Sequence, residues 1–309
     1  MRGIISHNIN VVGLVTRPSG NRGNVCDYVD LHPLCHEHDI TVIDTLDINS
    51  EETLARVKAL DPDYIFTLGT SQLFKQEFLS LAKQWVIGSH PSPLPKGRGR
   101  APVPWTILQA HRESAVSFFK MELGADTGDL LQRNRFSIPE RAYANEVYQL
   151  VAHNLRDGFC QLHDKIVSGT IEFLPQDAEQ ATYRARRGPA DGFVDFAAGA
   201  SQIDRLIRAV SHPYPGAYVY YEDTKFEVWE AHPNNAPQIM GTTGQILAVA
   251  DDQVLVQASD KPLWLSSFTQ SGTAIPASTF RVGQHFNYRL HDEVFAIKEA
   301  IRALQKRLD

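Results

Sequence analysis

Residues 9–90 alternate between short apolar runs and helical segments, and this alternation restricts the fold more than any other feature. Four runs rich in β-branched residues predict strands: INVVGLVT (9–16), ITVID (40–44), DYIFTLG (63–69) and WVIGSH (85–90). Between them we expect a short helix limited by Pro33, a helix from an N-cap at Ser50 to about Leu60, and a helix over 72–83. Strands that alternate with helices indicate an α/β fold with a mostly parallel, Rossmann-like sheet.

The start of the chain departs from this pattern. MRGIISHNINVVGLV is typical of the end of a helix followed by the second strand of a βαβ unit. We therefore expect the first strand of the sheet and its turn to be missing. Either the start of the chain is shortened, or the fold does without that strand.

The pattern of helices and strands changes beyond a linker at 176–192. A helix is expected over 103–110, strands over 114–121 and 130–138, and a long amphipathic helix over 143–168, before a polar, turn-rich linker at 176–192. A helix at 200–211 then precedes five short strands: AYVYYE, KFEVWEA, GQILAVA, QVLVQA and PLWLSSF. This pattern predicts a small antiparallel, OB-like barrel, followed by a terminal helix over 288–308. The predicted domains are 1–182, 183–275 and a C-terminal extension over 276–309.

Composition excludes several classes of protein. The 309 residues carry a formal net charge of −6, which argues against a protein whose main task is to hold a polyanion. Cys26, Cys35 and Cys160 have no metal-ligand spacing and are typical of thiols in a reducing compartment. No apolar run reaches the roughly 18 residues of a membrane span, and no signal peptide is visible. We expect a cytoplasmic protein.

The stretch IGSHPSPLPKGRGRAPVPW, residues 87–105, combines five prolines with three glycines around one histidine. The prolines stiffen a long loop, and the glycines allow backbone shapes that other residues resist. His90 ends the preceding strand, where ligands of α/β sheets gather. Lys96, Arg98 and Arg100 are candidate phosphate contacts, although a solvated loop face explains them equally well.

A second stretch, LGADTGDLL at 123–131, places Asp126 and Asp129 in a turn between two strands. One interpretation is a hairpin turn that uses Asp and Gly for their dihedral preferences. The other is a carboxylate that orients or charges His90.

The two stretches together resemble the formyltransferases that use N10-formyltetrahydrofolate, and RRGPADGFVDF and the residues that follow it resemble the C-terminal domain of the methionyl-tRNA and sugar members. The resemblance implies that His90 and Asp126 are catalytic and that N10-formyltetrahydrofolate is the co-substrate. It also implies a pterin pocket formed by two loops: Leu68, Gly69, Gln72 and Leu73 in one, and Glu122, Leu123, Gly124 and Ala125 in the other.

One position departs from the family pattern. The family's catalytic set includes an Asn two residues before the His, and Gly88 stands there. Ser89 points to the opposite face of the strand, because side chains alternate. Ser92 or a backbone N–H is a candidate substitute donor to the oxyanion; otherwise the enzyme is slow, or the chain binds without catalysis.

The acceptor implied by the resemblance is the amine of a nucleotide-linked amino sugar, on UDP or dTDP, because the sequence RGRAPVPW is closer to the sugar members and the net charge is negative. Methionyl-tRNA formylation, formyltetrahydrofolate hydrolysis and a non-catalytic folate or nucleotide-sugar binder are the alternatives. We expect no nucleic acid and no membrane as partners. Neither do we expect a metal, because the histidines have no convincing ligand spacing. The terminal helix either packs on its own domain or forms a homodimer contact.

Overall fold

The computed structural model describes residues 1–21, 28–70, 72–234, 236–237, 239–287 and 290–308. The chain divides into two compact units, Met1–Arg187 and Gly188–Asp309. The sequence had placed the boundary at 182. Cys26 lies outside the described residues.

The first unit contains six helices and eight strands within the described residues. In chain order they are α1 (Arg2–Ser6), β1 (Gly13–Thr16), α2 (His32–Glu37), β2 (Thr41–Asp44), α3 (Glu51–Ala59), β3 (Tyr64–Thr67), α4 (Gln76–Leu79), β4 (Trp85–His90), β5 (Arg98–Gly99), α5 (Pro102–Leu108), β6 (Glu113–Lys120), β7 (Leu130–Ser137), α6 (Ala144–Val167) and β8 (Tyr183–Arg184).

The sheets of this unit contain the expected parallel pairs together with antiparallel ones. Strands β1 and β2 form one parallel pair, and β3 and β4 form another. Strands β5 and β8 form a third parallel pair, whereas β4 pairs antiparallel with β6, and β6 with β7. The reason is that the 121–129 turn joins β6 to β7 directly as a hairpin, without the crossover helix that a parallel pair needs. A strand that joins the β1–β2 pair to the β3–β4 pair is not found among the described residues.

The helix from Ser50 is confirmed: α3 begins at Glu51, and the Ser50 hydroxyl accepts a hydrogen bond from the Thr53 N–H at 3.3 Å. The helix expected over 72–83 is wrong, because α4 covers only Gln76–Leu79. The Asn49 side chain accounts for the difference. Its amide donates to the Leu73 carbonyl, and its oxygen accepts from the Lys75 N–H, so these backbone groups have partners outside a helix.

The second unit is built around one antiparallel sheet. Its elements are α7 (Ala200–Ala209), β9 (Ala217–Tyr221), β10 (Thr224–His232), β11 (Ile246–Ala250), β12 (Gln253–Gln257), β13 (Pro262–Gln270), β14 (Thr273–Ile275) and α8 (Leu290–Leu308). The strand order is β11–β12–β13–β10–β9, with β14 also on β13. Among the described residues this path stays open, because its two end strands do not pair, so the expected closed barrel is not formed. Val219, Val228, Val256 and Leu265 of the sheet pack with Ile203 of α7 in a buried core.

Within the part of the chain that the structure describes, no helix combines the length and the apolar character needed to cross a bilayer.

Candidate active site

His90 closes β4 and lies 7% exposed at the start of the proline-rich loop. Val86 and Ile87 of β4 are buried, and their burial fixes the register in which β4 pairs with β6. This register places His90 at the end of the strand, where the loop begins. The His90 Nε2 atom is 2.9 Å from the Gly97 carbonyl oxygen. A carbonyl can only accept, so Nε2 carries the proton and Nδ1 is left for chemistry.

Asp126 faces that second nitrogen. Its Oδ2 atom lies 3.7 Å from His90 Nδ1 and accepts a hydrogen bond from the Gly99 N–H at 2.9 Å. Asp126 has a φ of 57°, in the left-handed region that Asp tolerates better than most residues in a turn. The structure therefore brings together the two side chains that the sequence singled out, while Asp129 contributes its backbone carbonyl to Lys120 of β6.

Burial lowers the pKa of His90, and the nearby Asp126 carboxylate opposes this shift. The Gly97 hydrogen bond also raises the pKa, and the positive charge of Arg184 lowers it. Burial is the largest of these causes, because an imidazolium loses its hydration in an enclosed site. The imidazole is therefore neutral at neutral pH and able to accept a proton at Nδ1.

Gly88 sits two residues before His90 and pairs across the sheet with Phe119 of β6. A Cβ atom built on Gly88 would lie 2.5 Å from the Phe119 Cζ atom, with two more ring atoms within 3.0 Å. Phe119 is 3% exposed and packs with Leu94 and Leu130. An aromatic ring thus fills the space into which a side chain at position 88 would project.

Ser92 is fully buried, and its hydroxyl donates to the Gly97 carbonyl at 3.1 Å. The same carbonyl accepts from His90, so two donors share one oxygen. The Ser92 carbonyl in turn accepts from the Ser117 hydroxyl at 2.7 Å. These contacts hold the first turn of the loop against β6.

The three cations of the loop have different surroundings. Arg98 is 4% exposed; its guanidinium donates to Gln176 and to the Tyr183 hydroxyl. Lys96 and Arg100 are exposed. Of the three phosphate candidates, Arg98 is therefore committed to contacts within the chain.

The two loops expected to hold a pterin expose apolar side chains. Leu68, Leu73 and Leu123 are 41%, 74% and 66% exposed. Gln72 uses its side chain within the chain, accepting from the Ile48 N–H and donating to the Leu46 carbonyl. Gly69 has a φ of 69°, and Glu122, Gly124 and Ala125 are exposed.

Three residues of the segment read as a linker were missed by the sequence analysis. The Gln176 amide donates to the carbonyls of Asp126 and Gly128, at 2.9 and 2.7 Å, while its oxygen accepts from Arg98. The Thr182 hydroxyl accepts from the Gly97 N–H at 2.8 Å. Arg184 lies against Gly97 and donates to the Pro102 carbonyl. Strand β8 pairs in parallel with β5. This segment therefore contacts both the proline-rich loop, at Gly97, and the 121–129 turn, at Asp126. In the sequence, only its polar, turn-rich composition distinguished this segment.

Comparisons with known proteins show which family this chain resembles along its length. Residues 6–162 match the family model described as "Formyl transferase", and residues 187–285 match "Formyl transferase, C-terminal domain". The chain is 28% identical over 262 residues to the methionyl-tRNA formyltransferase of Clostridioides difficile (strain 630), covering 84% of each protein.

Two solved structures share the fold. An N-formyltransferase from Helicobacter canadensis, crystallised with folinic acid and dTDP-3-aminofucose, has a TM-score of 0.62 at 17% identity; the match covers 87% of this chain and 94% of that one. HypX from Aquifex aeolicus, in complex with tetrahydrofolic acid, has a TM-score of 0.61 at 18% identity, covering 84% of this chain. This chain spans 48% of HypX.

The matched models cover both units, and the His90–Asp126 pair lies inside the first of them. An enzyme of this family transfers a formyl group and uses formyltetrahydrofolate as its co-substrate. The chain belongs to the formyl transferase family.

Proposed function

We propose that this protein transfers a formyl group from N10-formyltetrahydrofolate to the amine of a UDP- or dTDP-linked amino sugar. The observation that carries the chemistry is the buried pair of His90 and Asp126, 3.7 Å apart, with Nδ1 of the imidazole unprotonated. A buried, neutral histidine beside a carboxylate is suited to general-base catalysis.

In the proposed mechanism, His90 takes the proton that the acceptor amine loses as its nitrogen bonds to the formyl carbon. The proton is held at Nδ1, and the imidazolium that results is stabilised by the Asp126 carboxylate. Gly97 keeps the ring oriented through Nε2, and Gly99 keeps the carboxylate oriented through Oδ2. The bound folate supplies the formyl group; as the bond between the formyl carbon and N10 breaks, His90 passes the proton from Nδ1 to N10, and tetrahydrofolate leaves.

The oxyanion that develops during acyl transfer needs a donor, and Gly88 cannot provide one. Ser92 is our proposed substitute. Its present acceptor, the Gly97 carbonyl, also receives the His90 N–H, so this oxygen keeps a partner if the hydroxyl turns away. Rotating the Ser92 hydroxyl away breaks one hydrogen bond, which costs on the order of 1 kcal/mol. A single oxyanion donor stabilises a transition state by about 2.7–4 kcal/mol.

The residues proposed to hold the pterin fit a flat heterocycle. Leu68, Leu73 and Leu123 offer exposed apolar surface on two loops, and the exposed backbone of 122–125 offers polar groups for a ring edge. Apolar walls with a few polar groups are the usual composition of a small-molecule site.

Three features favour an amino sugar as the acceptor. The net charge of −6 does not suit a broad tRNA surface. Lys96 and Arg100 are exposed beside the site and can pair with a diphosphate. The motif RGRAPVPW resembles the sugar members. The proposal does not include nucleic acid as a partner.

Formylation of methionyl-tRNA is the second candidate. Its support is the 28% identity to the methionyl-tRNA formyltransferase of C. difficile over 84% of the chain. This candidate predicts binding of tRNA that weakens steeply with salt, whereas a nucleotide sugar with two phosphates depends on salt much less.

The proposal includes a homodimer formed through helix α8. Val294, Ile297, Ile301 and Leu304 follow a 3–4 spacing along the helix and are 40–58% exposed. In a parallel two-stranded coiled coil this spacing places Glu293 of one copy beside Lys298 of the other, with opposite charges.

The proposal also includes a cytoplasmic location, supported by the free thiols of Cys35 and Cys160.

The test is a turnover assay with N10-formyltetrahydrofolate and a panel of UDP- and dTDP-amino sugars, with methionyl-tRNA as a parallel acceptor. We expect a sugar product heavier by one formyl group, and no such product from His90→Ala. Formylated tRNA alone would support the second candidate. Folate binding without turnover on any acceptor would indicate a non-catalytic binder and would overturn the proposal.

A further inference from the structure

Helices α1 and α6 bring three metal-ligating side chains together, away from the residues of the proposed active site. His7 follows α1, and His163 and Asp164 lie near the end of α6. One ligand atom from each residue lies within 4.8 Å of the others. The sequence analysis missed the group because 156 positions separate His7 from His163 (163 − 7 = 156).

The distances within the cluster suit a shared ion. His7 Nε2 is 2.8 Å from Asp164 Oδ1, and His163 Nδ1 is 3.5 Å from the same oxygen. Zinc–nitrogen bonds of about 2.0–2.1 Å place two ligands of a tetrahedron about 3.4 Å apart. The second distance is already close to this value, and the first would have to lengthen by about 0.6 Å, at a residue that follows a short helix.

A second observation points to an absent ligand. The Nδ1 atom of His163 is buried and has no hydrogen-bond partner among the described residues. Its nearest acceptor, Asp164 Oδ1 at 3.5 Å, is too far and too poorly aligned for a good hydrogen bond, so the nitrogen recovers little of the hydration it has lost. A cation between the two imidazoles and the carboxylate removes this deficit.

The donor set identifies the class of cation. Two imidazole nitrogens and one carboxylate oxygen are typical ligands of zinc and its neighbours, whereas calcium and magnesium prefer oxygen alone. Cys160 lies one turn before Asp164, but its thiol donates to the Gly3 carbonyl, and burial raises its pKa. The thiol therefore stays protonated and outside the set.

We propose that His7, His163 and Asp164 form a binding site for a divalent transition metal of the zinc class, which fastens α1 to α6. Three protein ligands leave one coordination position for water. The site shares no residue with the His90–Asp126 pair, so it stands or falls independently of the proposed formyl transfer.

The experiment is a zinc titration of the tag-free, full-length protein by calorimetry, with Co²⁺ absorption as a second probe. We expect one zinc per chain, and a tetrahedral cobalt spectrum without a sulfur charge-transfer band. His7→Ala and His163→Ala each remove one of three ligands and are expected to weaken zinc binding at least about 100-fold. Zinc should raise the midpoint of thermal unfolding of the wild type but not of His7→Ala.

The matched control is His153→Ala, which removes an exposed histidine of the same helix and should leave zinc binding unchanged. Asp164→Asn, which keeps the shape of the side chain, provides a second test if an alanine variant fails to fold. The proposal is overturned if the wild type takes up no zinc, or if zinc binds the ligand variants as tightly as the wild type.

Discussion

The Phe119 ring occupies the space beside Gly88 on the neighbouring strand, where a Cβ atom would lie 2.5 Å from Cζ. Gly88 stands where the formyltransferases that this chain resembles carry an amide side chain. The two residues therefore form a matched pair: the absent side chain of one is replaced by the ring of the other. The buried aromatic ring lies where a side chain at position 88 would project, so the two positions cannot be altered independently.

Gly88→Ala should destabilise the protein by about 1–3 kcal/mol, the usual cost of overpacking a core. The same change in a Phe119→Ala background should be nearly neutral, because the ring that it meets is gone. Chemical denaturation of the four proteins measures this coupling. Equal costs in both backgrounds would contradict the packing of the pair.

Gly88→Asn combined with Phe119→Ala should restore an oxyanion donor. Relative to Phe119→Ala alone, we expect kcat to rise by less than the roughly 10²–10³-fold that one such donor contributes in other acyl-transfer sites, because Ser92 is proposed to supply a donor already. Steady-state kinetics with the best acceptor of the panel checks this. A full rise of about 10²–10³-fold would mean that Ser92 does not act as the substitute donor.

Asp126→Asn should change the pH profile in a defined direction. His90 acts as a base only when neutral, so wild-type activity falls as the pH drops through its pKa, which burial places below the usual 6.5. Removing the carboxylate removes the charge that raises this pKa. The acid limb should therefore move to lower pH, while the plateau falls roughly 10²-fold because the imidazolium loses its counter-charge.

The control for this profile is Asp129→Asn in the same turn. Asp129 contributes a backbone carbonyl to Lys120, so its side chain should not affect the limb. An acid limb that stays in place in Asp126→Asn, or moves to higher pH, would show that Asp126 does not act electrostatically on His90.

Gln176→Glu should lower kcat by at least about 10-fold and leave the substrate KM nearly unchanged. The variant keeps an acceptor for Arg98 but loses the two donors to the carbonyls of Asp126 and Gly128, so the catalytic carboxylate is held less firmly. Kinetics alongside Gln180→Ala provide the comparison, because Gln180 lies exposed in the same segment. If Gln180→Ala is equally impaired, the loss reflects the segment as a whole rather than the bridge made by Gln176.

Ile301→Glu should convert the proposed dimer to a monomer, measured by light scattering after size-exclusion chromatography. Ala303→Glu places the same charge on the opposite face of α8 and should leave the dimer intact. Glu293→Lys should also weaken it, and adding Lys298→Glu should restore it, since the swapped pair again has opposite charges. A wild type that elutes as a monomer would exclude the contact.

Local patterns in the sequence predicted much of the first unit. Ser50 was identified as a cap because its hydroxyl precedes a helical run, and His90 was singled out because it ends a strand before a stiff loop. These features depend on neighbours along the chain. The helix expected over 72–83 failed because Asn49, far from it in sequence, satisfies its backbone groups.

In the site, too, features that depend on neighbours along the chain could be predicted, and contacts between distant residues could not. The approach of Asp126 to His90 was one of two interpretations of the 123–131 turn, and the resemblance favoured it. The bridge made by Gln176 could not be inferred, since its partners lie 48 and 50 positions away. The ring beside Gly88 is a cross-strand contact, visible only once the register of β4 and β6 is known. Contacts of this kind depend on topology, which the local pattern does not specify.

The pairing of β8 with β5 has a consequence for dissecting this chain. Residues 176–184 follow the segment that matches the first family model, yet they complete the first unit by holding its two loops in place. A fragment that ends at residue 162 should therefore lack the contacts that hold these two loops, whereas a fragment that ends at Arg187 should keep them. An exchange of the second unit between such enzymes would have to cross over after Arg187.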